Sequence, residues 1–371
     1  MLSLTRKKRP VFLASVVALS VAVASCSGST TTDGGDEAAT DGGDDTEVAA
    51  DDAGSGERIS LIGAGASFPA PLYQRWFSEY NNENPNIEVT YQSVGSGAGV
   101  EQFTAGTIDF GASDVAMKDE EIAAVDSGVV LLPMTAGAIV LAYNLPGVDE
   151  LRLSREVYVD ILLGNITNWN DPAIAAINEG VEMPDMEITV VYRSDGSGTT
   201  GVFTMHLNTI SDEWADSVGE GKTVEWPTGV GAKGNEGITA QILQTEGAIG
   251  YIEYGYAKQQ EIPVASLENA SGNYVEPSVE TAAATLSAVE LPENLRAFIT
   301  DPEGEESYPI ATYTWIMAYQ EYEDAAKAEA LKEVLTWALN EGQTMSEELG
   351  YIPLPENVVA RVQEAVDSIN E

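Results

Sequence analysis

From Ile59 onward the chain runs through one hydrophobic pattern three times in about sixty residues. Ile59-Ser60-Leu61-Ile62 predicts a short strand, and Gly63-Ala64-Gly65-Ala66-Ser67-Phe68-Pro69-Ala70-Pro71 its loop. Leu72, Tyr73, Trp76, Phe77 and Tyr80 then share one helical face, with prolines where a first turn accepts them. Ile87, Val89 and Tyr91 alternate as a second strand, Gly95-Ser96-Gly97-Ala98-Gly99 is its loop, and Val100–Ala105 a helix. The third unit is shorter. Ile108–Ser113 leads to Asp114, placed as N-cap of a helical run Val115–Val125. Consecutive strand–loop–helix units build a parallel sheet, whose carboxyl ends carry ligand-binding loops. Ser67, Ser96 and Asp114 are therefore expected on one edge. Glycines in such loops also serve as plain turns, and Phe68 reads as a core residue even where its N–H points outward.

Further on, Ala138–Tyr143 predicts a strand and Val157–Leu163 a helix, and Asn165–Pro172 begins another. The β-branched run from Ile188 stops at Arg193. A Ser/Gly loop follows, and Phe203, Leu207 and Ile210 return to helical spacing. This puts Ser197, Gly198 and Thr199 at a helix N-terminus, where free N–H groups and the helix dipole favour an anion. Arg193 adds a planar guanidinium suited to phosphate or carboxylate oxygens. Taken alone, the loop reads equally well as a turn; its recurrence along the chain points to a ligand. Glu225–Gly237 reads as a Gly-rich loop containing Trp226, Lys233 and Asn235. A helix at Ile238–Gln244 and a strand at Ala248–Ile252 come next, and Ser266–Pro309 looks peripheral. Ile310–Met317 is strand-like. Ala325–Asn340 is an amphipathic helix with Leu331, Val334, Leu335 and Ala338 on one face.

The N-terminus is of another kind. Arg6, Lys7, Lys8 and Arg9 precede the apolar run Val11–Ala24 and then Val23-Ala24-Ser25-Cys26, which reads as a secretory signal over residues 1–25. The run is short for a membrane span. Cys26, the sole cysteine, stands where a bacterial lipobox would be cleaved and lipidated, anchoring the chain to a membrane face. Residues 26–57 form an acidic, Gly/Ser/Thr-rich stretch without Lys or Arg, a composition that favours a disordered tether.

Composition narrows the chemistry. One cysteine precludes an internal disulfide, and no Cys/His cluster has zinc-ligand spacing. No metal or cofactor is expected. His206 is the only histidine, which disfavours Ser-His-Asp and Cys-His enzymes; it reads as a packing or surface residue. The formal net charge is −43, and only ten of the sixty acidic residues lie in the tether, so the body itself is acidic. Such a surface repels nucleic acid. An anion site here must work through local dipoles and one or two buried cations.

Together these segments resemble the phosphate-binding proteins of high-affinity phosphate ABC transporters over essentially all of residues 58–371. The motifs are Gly-Ala-Gly-Ala-Ser-Phe-Pro-Ala-Pro from Gly63, Gly-Ser-Gly-Ala-Gly from Gly95, Asp-Phe-Gly-Ala-Ser-Asp from Asp109, Arg-Ser-Asp-Gly-Ser-Gly-Thr from Arg193 and Gly-Ala-Ile-Gly-Tyr from Gly247. The resemblance implies an α/β, two-lobed periplasmic-binding-protein (type II-like) fold with a ligand cleft between the lobes. Residues 58–135 and 309–371 would form lobe 1, and 136–308 lobe 2. It implies a monomer that binds inorganic phosphate and delivers it to permease subunits from an extracytoplasmic, lipid-anchored position, without catalysis. Ser67, Phe68, Ser96, Asp114, Arg193, Ser197, Gly198 and Thr199 would bind phosphate, and Asp195 would orient Arg193. Ser67 stands where the family commonly has Thr. Gly201 stands where a bulkier residue is common, which would loosen packing under the anion loop.

Asp114 carries the specificity argument. A carboxylate repels an anion unless the anion brings a proton for it to accept. Phosphate near neutral pH has one; sulfate does not, and the mismatch would cost roughly 1–3 kcal/mol, more for a charged group. Arsenate is similarly protonated and stays open as an alternative ligand. A phosphoester hydrolase using Ser67 or Ser197 is a further alternative, lacking an evident base, metal cluster or nucleophile elbow.

Overall fold

β1 (Ile59–Gly65) lies between β2 (Ile87–Ser93) and β3 (Phe110–Ser113), parallel to both. The computed structural model describes residues 58–287 and 289–370. The strands that follow are β4 (Val129–Asn144), β5 (Arg152–Leu153), β6 (Thr189–Arg193), β7 (Val230–Ala232), β8 (Ala248–Glu253), β9 (Ser266–Glu268), β10 (Tyr274–Val275) and β11 (Ala311–Tyr319). Eight of them make one mixed sheet, in the order β2-β1-β3-β11-β4-β8-β6-β7. β6 is parallel to β7 and β8, whereas β11 runs antiparallel to β3 and β4, and β4 antiparallel to β8. The parallel units expected from the sequence are thus present, with two antiparallel strands between them.

β4 positions the site. Its residues up to Ala138 pair with β11, and from Ile139 onward it pairs with β8. β1, β2 and β3 run one way and β6, β7 and β8 the opposite way. Their registers bring both sets of carboxyl ends toward the middle of β4, where Ala138 faces Ala311 and Ile139 faces Glu253. Ligands in open α/β sheets bind outside strand carboxyl ends, and here two such edges converge.

The helices follow from spacing. Leu72, Tyr73, Trp76, Phe77 and Tyr80 are all buried on the helix Ala70–Glu83. The helix Ala325–Asn340 buries Leu331, Val334, Leu335 and Ala338, and the Asp324 side chain accepts from the Ala326 N–H at its start. A further helix, Glu356–Asp367, buries the period-four stripe Val358, Val362 and Val366 and adds to the elements expected from the sequence.

Several expectations need correction. Asp114 caps no helix: the next helix is Asp119–Ala123. Val115, Ala116 and Met117 are all buried, and three consecutive buried positions do not fit a helix with a single apolar face. Strand β4 begins nine residues before the expected Ala138, with Pro133 inside it; a proline argues against a strand in sequence, yet here it pairs with Trp315 beside a bulge at which Met134 of β4 is the extra residue. The helix placed at Val100–Ala105 starts at Ser96, so its glycines form a first turn rather than a loop. Gly99 sits there because an added Cβ would come within 2.5 Å of the Gly65 Cα. The stretch read as a loop at Glu225–Gly237 holds β7 and the start of the helix Gly234–Gln244. The segment Ser266–Pro309 contributes β9 and β10, which join β5 in a three-stranded sheet, and its Thr285 and Tyr308 are buried. The expected signal segment, Cys26 and the tether lie outside the described residues. Among the described residues no helix is long and apolar enough to cross a membrane.

Candidate functional site

The candidate side chains stand at, or just beyond, the carboxyl ends of strands that finish near the middle of β4. Ser67 and Phe68 follow β1, Ser96 follows β2, Asp114 follows β3, and Arg193 ends β6. Ser197 is the N-cap of the helix Gly198–Ile210 and accepts from the Thr200 N–H at 3.0 Å. The Gly198 and Thr199 N–H groups open that helix, so they have no acceptor within it. Ser67, Phe68, Ser96, Asp114, Arg193, Ser197 and Thr199 are all buried, and Arg193 is the most exposed of these residues at 4%.

Arg193, Thr199, Asp114 and Ser96 form a connected group. Arg193 Nη1 donates to Thr199 Oγ1 at 3.4 Å, and Thr199 Oγ1 donates to Asp114 Oδ2 at 3.3 Å. Ser96 Oγ accepts from the Asp114 N–H at 3.3 Å. Gly198 closes against them: a Cβ there would lie 2.4 Å from Ser96 Oγ and 2.7 Å from Asp114 Oδ2. Across the site the Gly97 N–H donates to the Gly196 carbonyl at 2.8 Å. Phe68 differs in kind. Its ring packs edge-on to Tyr351 at 6.3 Å, and its carbonyl accepts from the Tyr351 hydroxyl, so the side chain is core and only the backbone N–H is available to a ligand.

The charges are held in place. Asp195 takes both nitrogens of the Arg193 fork, Nε at 2.8 Å and Nη2 at 2.6 Å. It also accepts from the Gly234 N–H at 3.1 Å. Burial opposes ionisation of both partners, but their mutual bonding prevails, so the Arg193 pKa lies above and the Asp195 pKa below the ordinary value. Asp114 goes the other way. Burial pushes its carboxyl up to about 6, although Thr314, Arg193 and Thr199 all favour the ionised form.

The hydroxyls share a polarity. The oxygens of Ser67, Ser96, Ser197 and Thr199 each accept an N–H bond from this chain. An oxygen so engaged directs its proton elsewhere. The site therefore presents hydroxyl and N–H donors plus one guanidinium, with a single carboxylate acceptor. That array suits a compact oxyanion carrying one proton.

A family model described as the PBP superfamily domain matches residues 35–341. The phosphate-binding protein PstS of Pasteurella multocida is 44% identical over 308 residues, covering 82% of this chain and 89% of that protein. The chain belongs to the PstS phosphate-binding protein family. The PstS of Methanocaldococcus jannaschii is 39% identical over 340 residues, covering 84% of this chain and 87% of that one. A high-affinity periplasmic phosphate-binding protein (PfluDING), solved with phosphate bound, aligns with a TM-score of 0.69 at 22% identity, over 82% of this chain and 93% of that one; at that identity it shares the fold.

Two residues of this PstS-family site escaped the sequence reading. Thr314, on β11, donates to Asp114 Oδ1 at 2.9 Å. Asn235, at the start of the helix Gly234–Gln244, reaches both Ser67 and Thr199. Thr314 carried no local signal, since its role depends on β11 running beside the end of β3. Asn235 did carry one, because Gly234-Asn235 closes a Gly-rich stretch just before a renewed helical period, as Ser96 and Ser197 do; Gly234 turns the chain there with φ of +72°. His206 serves packing: its Nε2 and the Tyr158 hydroxyl are 2.7 Å apart, and burial pushes its pKa down to about 3. Gly201 does not loosen the anion loop, because Val115 fills the space: a Cβ there would lie 2.8 Å from Val115 Cγ2.

Proposed function

We propose that this chain binds inorganic phosphate between two lobes, residues 58–135 with 309–371 and residues 136–308, and delivers it to the permease subunits of an ABC importer. The observation that carries this reading is the donor array closed by the single carboxylate of Asp114. Ser67, Ser96, Ser197 and Thr199 hydroxyls, the Phe68, Gly198 and Thr199 N–H groups and Arg193 supply donors to the phosphate oxygens. Asp114 accepts the P–OH proton. The family's names and the solved phosphate complex support the same ligand. The partner switch of β4 at Ala138 and Ile139, within a few residues of the lobe boundary, supports a hinge there. Closure would follow from contacts that phosphate makes with both lobes at once.

Transport without catalysis fits the same geometry. N–H donors, rather than a general base, stand against the serine oxygens, and His206 is engaged with Tyr158. Delivery to a permease places the chain outside the cytoplasm, which agrees with the signal-like N-terminus and lipid attachment through Cys26. The acidic body excludes nucleic acid as a partner, and the chain acts as a monomer.

Calorimetric titration of the purified, ligand-stripped protein with phosphate tests the proposal. Tight binding that a large excess of sulfate does not displace is the expected result. Absence of phosphate binding, or turnover of a phosphoester, would overturn it. Equal affinity for arsenate would show that the site reads the proton and not the central atom.

A further inference from the structure

We infer that Asn235 is a positioning residue that fixes the direction of the Ser67 and Thr199 hydroxyl protons, so that both can act toward the ligand only as donors. The inference rests on the phosphate reading above and goes beyond it, to a residue that does not itself have to touch the anion. Asn235 is fully buried. Its backbone N–H and its Nδ2 both donate to Ser67 Oγ, at 3.0 and 2.9 Å. Nδ2 also donates to Thr199 Oγ1 at 3.2 Å. The orientation of the amide is set by its other end, where Oδ1 accepts the Glu253 N–H at 3.0 Å; a flipped amide would set two donors face to face.

The consequence is a count of lone pairs. A serine oxygen has two, and both on Ser67 are taken by N–H groups of Asn235, so its proton is the only bond it has left to give. Thr199 Oγ1 receives Asn235 Nδ2 and Arg193 Nη1, and its proton points to Asp114 in this structure. A P–OH of the ligand therefore finds no acceptor at Ser67 or Thr199 and must turn to Asp114. Asn235 thus excludes orientations in which the ligand proton is accommodated elsewhere. It also links the segments that carry Ser67 and Thr199, which lie 132 residues apart, through one amide group.

A double-mutant cycle with phosphate as titrant tests this. The variants are Asn235→Ala, Ser67→Ala and the pair, each with its phosphate-free melting temperature measured. Asn235→Ala is expected to weaken phosphate binding about tenfold, the loss of about one oriented hydrogen bond. In the Ser67→Ala background the same change is expected to cost clearly less, about threefold, because one of the two protons it orients is gone and only that of Thr199 is left. Asn235→Asp keeps the acceptor for the Glu253 N–H while replacing the donor by an acceptor, and is expected to weaken binding more than Asn235→Ala at pH 8. Equal losses from Asn235→Ala in both backgrounds would overturn the inference and leave Asn235 a purely structural residue. So would an Asn235→Asp variant that binds as the parent does, and that arm stands even if the alanine variant fails to fold. Wild-type protein that does not bind phosphate would instead remove the functional reading beneath it.

Discussion

The hydroxyl of Thr314 donates to Asp114 Oδ1 at 2.9 Å across 200 residues of chain. The bond is possible because β11 runs antiparallel beside β3, with Trp315 opposite Ser113. It holds one carboxylate oxygen, and the other faces Thr199 and the Cα of Gly198. The carboxyl is already pushed up to about 6 by burial, and Thr314 is the strongest group acting against that shift. Thr314→Val should therefore raise the Asp114 pKa further and weaken phosphate binding at pH 7 by about tenfold, as expected for a bond to a charged group worth about 1.5 kcal/mol. Phosphate affinity measured from pH 5 to 8 checks this. In the wild type it should fall as the pH drops through about 6; in the variant that fall should begin at higher pH.

Asp114→Asn should separate stability from specificity. The folded carboxyl titrates near 6 against an ordinary 3.8, so between those values the folded state holds more protons than the unfolded one. Stability without ligand then decreases as pH rises through that window, and the ionised carboxylate costs up to about 3 kcal/mol above it. The asparagine variant should match the wild type near pH 4 and melt higher at pH 7.5, in phosphate-free buffer. With phosphate present it should lose the preference over sulfate. A variant that melts below the wild type at both pH values would contradict the sign of this argument.

Asp195 carries the opposite sign. Its carboxyl titrates below the ordinary value because of Arg193, so its contribution is present above about pH 4 and is lost as pH falls through its folded pKa. Asp195→Asn would leave a buried guanidinium without its partner, a change that typically costs roughly 3–5 kcal/mol. Urea denaturation at pH 7 should show that loss. Because a bound anion supplies the missing charge, phosphate should raise the melting temperature of the variant by more than it raises that of the wild type.

Much of this was legible in the chain, for physical reasons that differ between residues. The helix Ala325–Asn340 is readable because its apolar stripe has one period and its start has an aspartate cap. Ser197 is readable because a β-branched strand, a Ser/Gly loop and a renewed helical period stand in one continuous segment. Asp114 was recognised as the acceptor but misplaced as a cap, since local sequence does not show that its carboxylate is engaged by Thr314 and Thr199. Thr314 was invisible because its role arises from strand pairing at a distance. The long β4 was half hidden by Pro133, which sits beside a bulge of β4 itself, where Met134 is the extra residue against β11. Asn235 stood in view within a glycine-rich loop, but nothing local tells that both its amide ends would be used.

Two glycines on one helix should respond differently to the same substitution. Both are buried on Gly198–Ile210, and alanine in place of glycine favours a helix interior by about 1 kcal/mol when nothing intervenes. At Gly198 the added carbon would lie 2.4 Å from Ser96 Oγ and 2.7 Å from Asp114 Oδ2, between the donor and the acceptor that the anion needs. Gly198→Ala should therefore abolish measurable phosphate binding while the protein still folds. At Gly201 the nearest atom outside the helix is Val115 Cγ2 at 2.8 Å, and the next, two atoms of Lys222, stand at 3.8 Å. One buried methyl of a stiff, β-branched side chain must move, which overpacking series place at about 1 kcal/mol or more, offsetting the helical gain. Gly201→Ala should thus change the melting temperature little and phosphate affinity by less than threefold. Adding Val115→Ala to it should leave affinity unchanged, whereas no neighbouring change should rescue Gly198→Ala, since the atoms it meets belong to the site itself. Phosphate titration and thermal melts of the three variants decide between them. Intact binding in Gly198→Ala would mean that the anion does not sit where Ser96, Asp114 and the helix N-terminus meet.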